Sequence, residues 1–132
     1  TNLDMTKKKI EKMKYDKNNI FAKILRKEIP CNKVYENEYV LSFYDISPLK
    51  KLHILVIPKG DYIDLDHFNS EASDKEIIEF SKSITYIVKM LKISSYETGY
   101  RILSNAGLNG GQEVPHFHYH IFGGEKIGKM VV

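Results

Sequence analysis

The sequence predicts an α+β domain, an antiparallel five-stranded sheet with two helices, on three observations. Five short apolar runs are separated by brief turn signals, which favours hairpin connections over parallel crossovers. A long amphipathic segment begins at Ser73, with Glu76 placed for a capping box. Near the end of the chain, His116-Phe117-His118-Tyr119-His120-Ile121-Phe122 alternates imidazoles with bulky apolar side chains, the period of two that a strand requires.

Each element has its own local reason. A short helix is expected from Asn18 to Lys27: Asn18 or Asn19 can cap it, Ile20, Phe21, Ile24 and Leu25 share one side, and Pro30 stops it. Strands follow over Lys33 to Glu36 and Tyr39 to Tyr44, with Asn37-Glu38 as the turn between them. Ser47-Pro48 marks another turn. His53 to Ile57 reads as a buried strand ended by Pro58. In the second helix, Ile77, Phe80, Ile84, Ile87, Val88 and Leu91 recur at helical spacing after the Ser73 cap. Tyr100 to Ser104 forms the fourth strand, and a glycine-rich segment over residues 105–111 leads into the histidine strand.

At 132 residues, the chain suffices for one domain with a core, and its 42% hydrophobic and 28% charged residues are ordinary for a globular protein. No apolar run approaches the roughly 18–20 residues of a membrane span, and the lysine-rich start lacks the apolar stretch of a secretory signal. A single cysteine, Cys31, allows no internal disulfide and fits a reducing, cytoplasmic setting. Lying just after Pro30, it reads as inert. Residues 1–17 carry six lysines against three acidic residues, so the formal net charge of +3 resides there, while residues 18–132 are balanced. The expected division is a basic, solvated extension over 1–17 and a folded domain over 18–132, with neither nucleic acid nor membrane as a partner.

Three histidines on one strand face suggest phosphate chemistry or a metal. For a metal, the Cα atoms of His116 and His120 would be roughly 13 Å apart along a strand, which strains a single four-coordinate ion with bonds of about 2 Å. Two strand histidines with His53 remain able to bind one. An extended anionic group, such as a phosphate and its leaving group, suits the row better. The Gly110-Gly111-Gln112 stretch can bring backbone N–H groups near such a ligand. Asn105 either donates to that ligand or caps its own turn. No serine or cysteine nucleophile arrangement stands out. A neutral imidazole, with an ordinary pKa of about 6.5, is the best nucleophile available.

These residues carry a resemblance. The 116–122 run resembles the signature of the histidine triad superfamily. Four separated blocks, NIFAKILRKEIP at 19–30, YDISPLKKLHILVIPK at 44–59, GYRILSNAG at 99–107 and GGQEVPHFHYHIFGG at 110–124, resemble its Hint branch, the histidine triad nucleotide-binding proteins. The resemblance covers about residues 18–130. It implies a histidine triad fold that dimerises into a ten-stranded sheet, and a nucleoside phosphoramidase acting on AMP- or GMP-linked conjugates without a cofactor. It also implies roles. His118 would attack the α-phosphorus, His116 and His120 would position the phosphoryl group, and His53 would support His118. Asp45 would accept the ribose hydroxyls; without the resemblance it reads as a residue that stabilises the Ser47-Pro48 turn. Ile20, Phe21, Ile24, Ile46 and Leu55 would surround a purine, with Phe21 and Ile24 read as partly core in any case. Asn105, Gly111, Gln112, Glu113 and Val114 would complete the phosphate site. Glu113 stands where some relatives have Ser or Thr, which bears on leaving-group preference. Asn19 and Ala22 stand where some carry a Cys-x-x-Cys zinc pair, so no metal is expected. His67 has no motif partner and reads as a surface or helix-edge residue. A dinucleoside polyphosphate hydrolase, a nucleotide-binding interaction module and a His-ligated metalloprotein are the alternatives.

Overall fold

The computed structural model describes residues 14–130; of the expected basic extension, residues 1–13 lie outside the described residues. The sheet strands are β1 (Lys33–Glu36), β2 (Val40–Tyr44), β3 (Leu52–Pro58), β4 (Arg101–Leu103) and β5 (Tyr119–Gly123). Their order is β1-β2-β3-β5-β4, and every neighbouring pair is antiparallel, as the hairpin spacing predicts. Among the described residues the helices are α1 (Ile20–Leu25), α2 (Leu65–Glu71) and α3 (Asp74–Met90).

Local sequence explains the helix ends. Asn19 caps α1, its side chain accepting from the Ala22 N–H at 2.9 Å. Ser73 and Glu76 form the expected reciprocal capping box of α3. The short α2 is an addition to the two helices expected. Asp64 caps it, accepting from the His67 N–H at 3.0 Å, but its seven residues present too brief an apolar pattern to signal a helix. His67 is half-buried within it, its Nδ1 accepting from the Ile63 N–H at 2.9 Å.

Strand alternation sorts the sheet into two faces. Val40, Ile54, Val56 and Ile121 point to one side, where Phe68 of α2 and Phe80, Ile84, Ile87 and Val88 of α3 close the main core with Phe117. Leu41, Phe43, Leu55 and Ile57 point to the other, where they meet Phe21 and Ile24 of α1. Because α1 is only six residues long, it covers part of that second face. The remainder is the floor of a cleft.

The histidine run departs from the expectation in one respect. Hydrogen-bonded pairing in β5 begins at Tyr119, opposite Val56, so only His120 of the three histidines lies within the ladder. The next positions of β3 lead to Pro58, which has no N–H to donate. There the chain finds other partners: the Phe117 N–H donates to Tyr62 O at 2.7 Å, and the Ser104 hydroxyl donates to His118 O at 2.7 Å. The alternation itself persists. Phe117 and Ile121 enter the main core, with Tyr119 packed against it, while the histidines keep to the side of α1.

Candidate active site

Strand register brings the first two histidines together. Leu55 of β3 faces His120 of β5, and His53 faces Phe122. On the shared sheet face His53 and His120 are therefore diagonal neighbours, and their Nε2 and Nδ1 atoms lie 2.9 Å apart. Phe122 packs beneath, its ring 4.3 Å from that of His53. The His118 ring stands edge-on to His120 at 4.9 Å and edge-on to Phe21 of α1 at 4.9 Å.

The partners of these rings assign their protons. A carbonyl only accepts, so His118, 2.6 Å from His116 O through Nδ1, carries its proton there and leaves a lone pair on Nε2. The Leu49 N–H donates to His53 Nδ1 at 3.1 Å, so the His53 proton sits on Nε2. That proton is donated to His120 Nδ1, which leaves neutral His120 with an N–H at Nε2. The cleft therefore presents an imidazole lone pair beside an imidazole donor. Burial holds His118 and His53 below the ordinary histidine pKa, Asp45 opposing it in both, and pushes His120 down to about 4. All three are neutral near pH 7.

A cavity of about 370 Å³ opens over this arrangement, within the range of small-molecule sites. Of the expected site residues, Phe21, Asp45, His53, Leu55, Asn105, Gly111, Glu113, Val114, His118 and His120 line it. Ser47 and Leu49, which sequence reasoning passed over, line it too. The Ser47 N–H donates to Asp45 Oδ1 at 2.8 Å, and Asp45 Oδ2 lies 3.5 Å from His53 Nε2. Asp45 thus stabilises its turn through Oδ1 and also lines the cleft beside His53. Gly111 lines the cavity with Asn105, and Gly110 precedes it in the same loop. A Cβ at Gly110 would collide with the Ala106 backbone, and Gly111 adopts φ +70°, a region that favours glycine.

Other expected residues fall elsewhere. His116 is fully buried behind the cleft, with Nε2 2.8 Å from Pro58 O and Nδ1 2.6 Å from the Tyr15 hydroxyl. Both ring nitrogens are engaged within the protein, so neither faces the cleft as the phosphate-positioning expectation requires, and burial pushes the His116 pKa down to about 4. Gln112 braces its loop by donating to Ile63 O at 2.6 Å and Val114 O at 3.0 Å instead of facing a phosphate. Ile24 is buried in the α1 core, Ile20 is 40% exposed outside the cavity lining, and Ile46 is 89% exposed on the Asp45 loop. His53 touches His120, so any support for His118 is relayed through that ring. Cys31 is half-buried and lies outside this cleft, its thiol pKa raised by burial.

Among the described residues, Asp45, His53 and His120 bring potential metal-ligand atoms within 4.8 Å of one another. The spacing fits an ion, but the proton pattern opposes one. A metal on His53 Nε2 would drive the proton to Nδ1, against the Leu49 N–H that donates there. The set reads as a hydrogen-bond relay. No helix among the described residues is long and apolar enough to cross a membrane.

Solved structures with this architecture include a histidine triad protein from Clostridium difficile, with a TM-score of 0.75 and 40% identity, covering 89% of this chain and 98% of that one. A HIT family hydrolase from Clostridium thermocellum matches with a TM-score of 0.78 and 33% identity, over 89% of this chain and 99% of that one. The HIT domain model matches residues 26–127, and the chain belongs to the HIT domain family. Its relatives include a HIT-like protein of Azospirillum brasilense, 49% identical over 89% of this chain and 94% of that protein. The purine nucleoside phosphoramidase of Escherichia coli is 39% identical over 85% of this chain and 92% of that enzyme.

Proposed function

We propose that the chain is a purine nucleotide-binding hydrolase of the Hint type, a nucleoside phosphoramidase that cleaves AMP-linked conjugates through a nucleotidyl-histidine intermediate. The observation that carries this reading is the pairing of a lone pair on His118 Nε2 with an N–H on His120 Nε2 at one cavity wall. A nucleophile and an electrophilic donor side by side suit attack on phosphorus. The kinship with a purine nucleoside phosphoramidase supports the substrate class.

The chemistry balances in two steps. His118 Nε2 attacks the α-phosphorus, and the phosphorus–nitrogen bond to the amine breaks. The departing amine takes up a proton. Water then attacks the phosphorus, breaks its bond to Nε2, and releases a proton equivalent to the one consumed, leaving a nucleoside 5′-monophosphate and free imidazole. His120 donates to a phosphoryl oxygen as charge develops there. Asp45 accepts from the ribose hydroxyls, and Phe21, Leu49, Leu55 and Val114 surround the base. In the same reading a second copy pairs along β4, which stands at the sheet edge, to give ten continuous strands, and the enzyme works in the cytoplasm.

A hydrolysis panel tests the assignment. With EDTA present, an AMP–amine and an AMP–lysine conjugate should be hydrolysed faster than a diadenosine polyphosphate. A preference for the polyphosphate would overturn the phosphoramidase reading. Complete loss of turnover in chelator, restored by zinc, would overturn the metal-free chemistry.

The acid limb of the rate profile is a separate expectation. The ordinary imidazole pKa places the loss of a neutral nucleophile near pH 6.5. Burial lowers the His118 value, so neutral imidazole persists to lower pH. The kcat/KM for the AMP–amine should therefore hold through pH 6.5 and decline only below it. A midpoint at or above 6.5 would contradict a buried nucleophile at this position.

A further inference from the structure

Behind the cleft stands a residue to which no step above assigns a task. Tyr15 lies N-terminal to the segment 26–127 matched by the family model, in the stretch whose lysines suggested a solvated extension. It is half-buried instead, its ring edge-on to His116 with centroids 5.6 Å apart. Because His116 Nε2 is held by the Pro58 carbonyl at 2.8 Å, the His116 proton sits on Nε2 and the lone pair on Nδ1. The Tyr15 hydroxyl, 2.6 Å from that Nδ1, is therefore the donor. Burial raises the Tyr15 pKa above its ordinary value, which keeps the proton in place at neutral pH.

The His116 ring is thus gripped at both nitrogens. The main-chain carbonyl of the same residue accepts the Nδ1–H of His118 at 2.6 Å. A ring fixed at two points fixes its Cα, and with it the peptide plane that carries this carbonyl. We propose that Tyr15 is a positioning residue: by clamping the His116 ring from behind, it holds the carbonyl that orients His118 and commits the His118 lone pair to Nε2. The inference rests on the reading of His118 as nucleophile. It gives the segment ahead of α1 a part in catalysis without contact with substrate, since Tyr15 does not line the cleft.

The test is Tyr15→Phe in the full chain, which removes one oxygen and keeps the ring. On an AMP–amine conjugate, kcat should fall about tenfold, as slight misalignment of a nucleophile costs, while KM stays within about twofold because the cleft lining is untouched. Lys14→Ala, at an exposed neighbouring position, should leave both constants unchanged. In a His116→Gln background, where the clamped ring is gone, Tyr15→Phe should cost no further rate. Nitrogen-15 NMR of the substrate-free protein provides a readout independent of turnover: the His116 Nδ1 signal should move toward that of a free imine nitrogen in Tyr15→Phe. Unchanged kcat, a loss confined to KM, an equal loss in the His116→Gln background, or an unmoved Nδ1 signal would each overturn the proposal. A wild-type chain inert on the whole substrate panel would instead overturn the functional reading and remove the premise of positioning, while the NMR comparison still reports the clamp itself.

Discussion

His118→Ala should abolish turnover of an AMP–amine conjugate, lowering kcat by on the order of a thousandfold or more, while AMP binding stays within a few-fold of wild type. The asymmetry follows from the site. His118 is the residue whose Nε2 lone pair is left free by its own backbone contact. His120, on the cavity wall beside it, offers a donor in its neutral form. His116 sits outside the cavity with both nitrogens engaged. Substitution of His120 or His116 should therefore cost less than loss of the nucleophile. Mass spectrometry of protein quenched during turnover should locate a nucleotidyl adduct on His118. An adduct on His116 or His120, or substantial turnover in His118→Ala, would show that the roles are misassigned.

The second large effect is expected at Asp45. Its Oδ1 is engaged by the Ser47 N–H, while its carboxylate lines the cleft beside His53. A charge-assisted hydrogen bond contributes about 1.5–3 kcal/mol, so Asp45→Ala should weaken AMP binding roughly 10- to 150-fold. The substitution also frees the Ser47 turn and removes a carboxylate near His53, and a ligand comparison separates these from ribose recognition. Calorimetry with AMP and with its 2′,3′-dideoxy analogue supplies it. The penalty should nearly vanish for the analogue, because the hydroxyls that Asp45 would accept from are gone. An equal penalty with both ligands means that Asp45 does not read the ribose.

Much of this architecture was legible residue by residue. Asn19 and the Ser73–Glu76 pair mark helix starts because capping is chemistry within one turn of chain. The alternation in β3 and in the histidine run reveals which side chains share a face because the strand period is a property of the backbone alone. The α2 helix was not legible: its cap is present at Asp64, but its stability comes from Phe68 packing into Phe80 and Phe117, a tertiary contact. Gln112 illustrates the same limit. Its type suits a ligand site, and only packing sends it to brace a loop.

What the sequence determined by itself was therefore the antiparallel α+β plan, the histidine face and the membership of the chain in its family. What the tertiary structure decided was which nitrogen of each histidine carries its proton, because the proton follows the partner placed against the ring. Those partners are Pro58 O for His116, His116 O for His118, the Leu49 N–H for His53 and His53 itself for His120. Tyr15 reaches His116 across 101 positions of chain. A period of two assigns a side chain to a face; it carries no information about the carbonyl or hydroxyl that folding brings to meet it there.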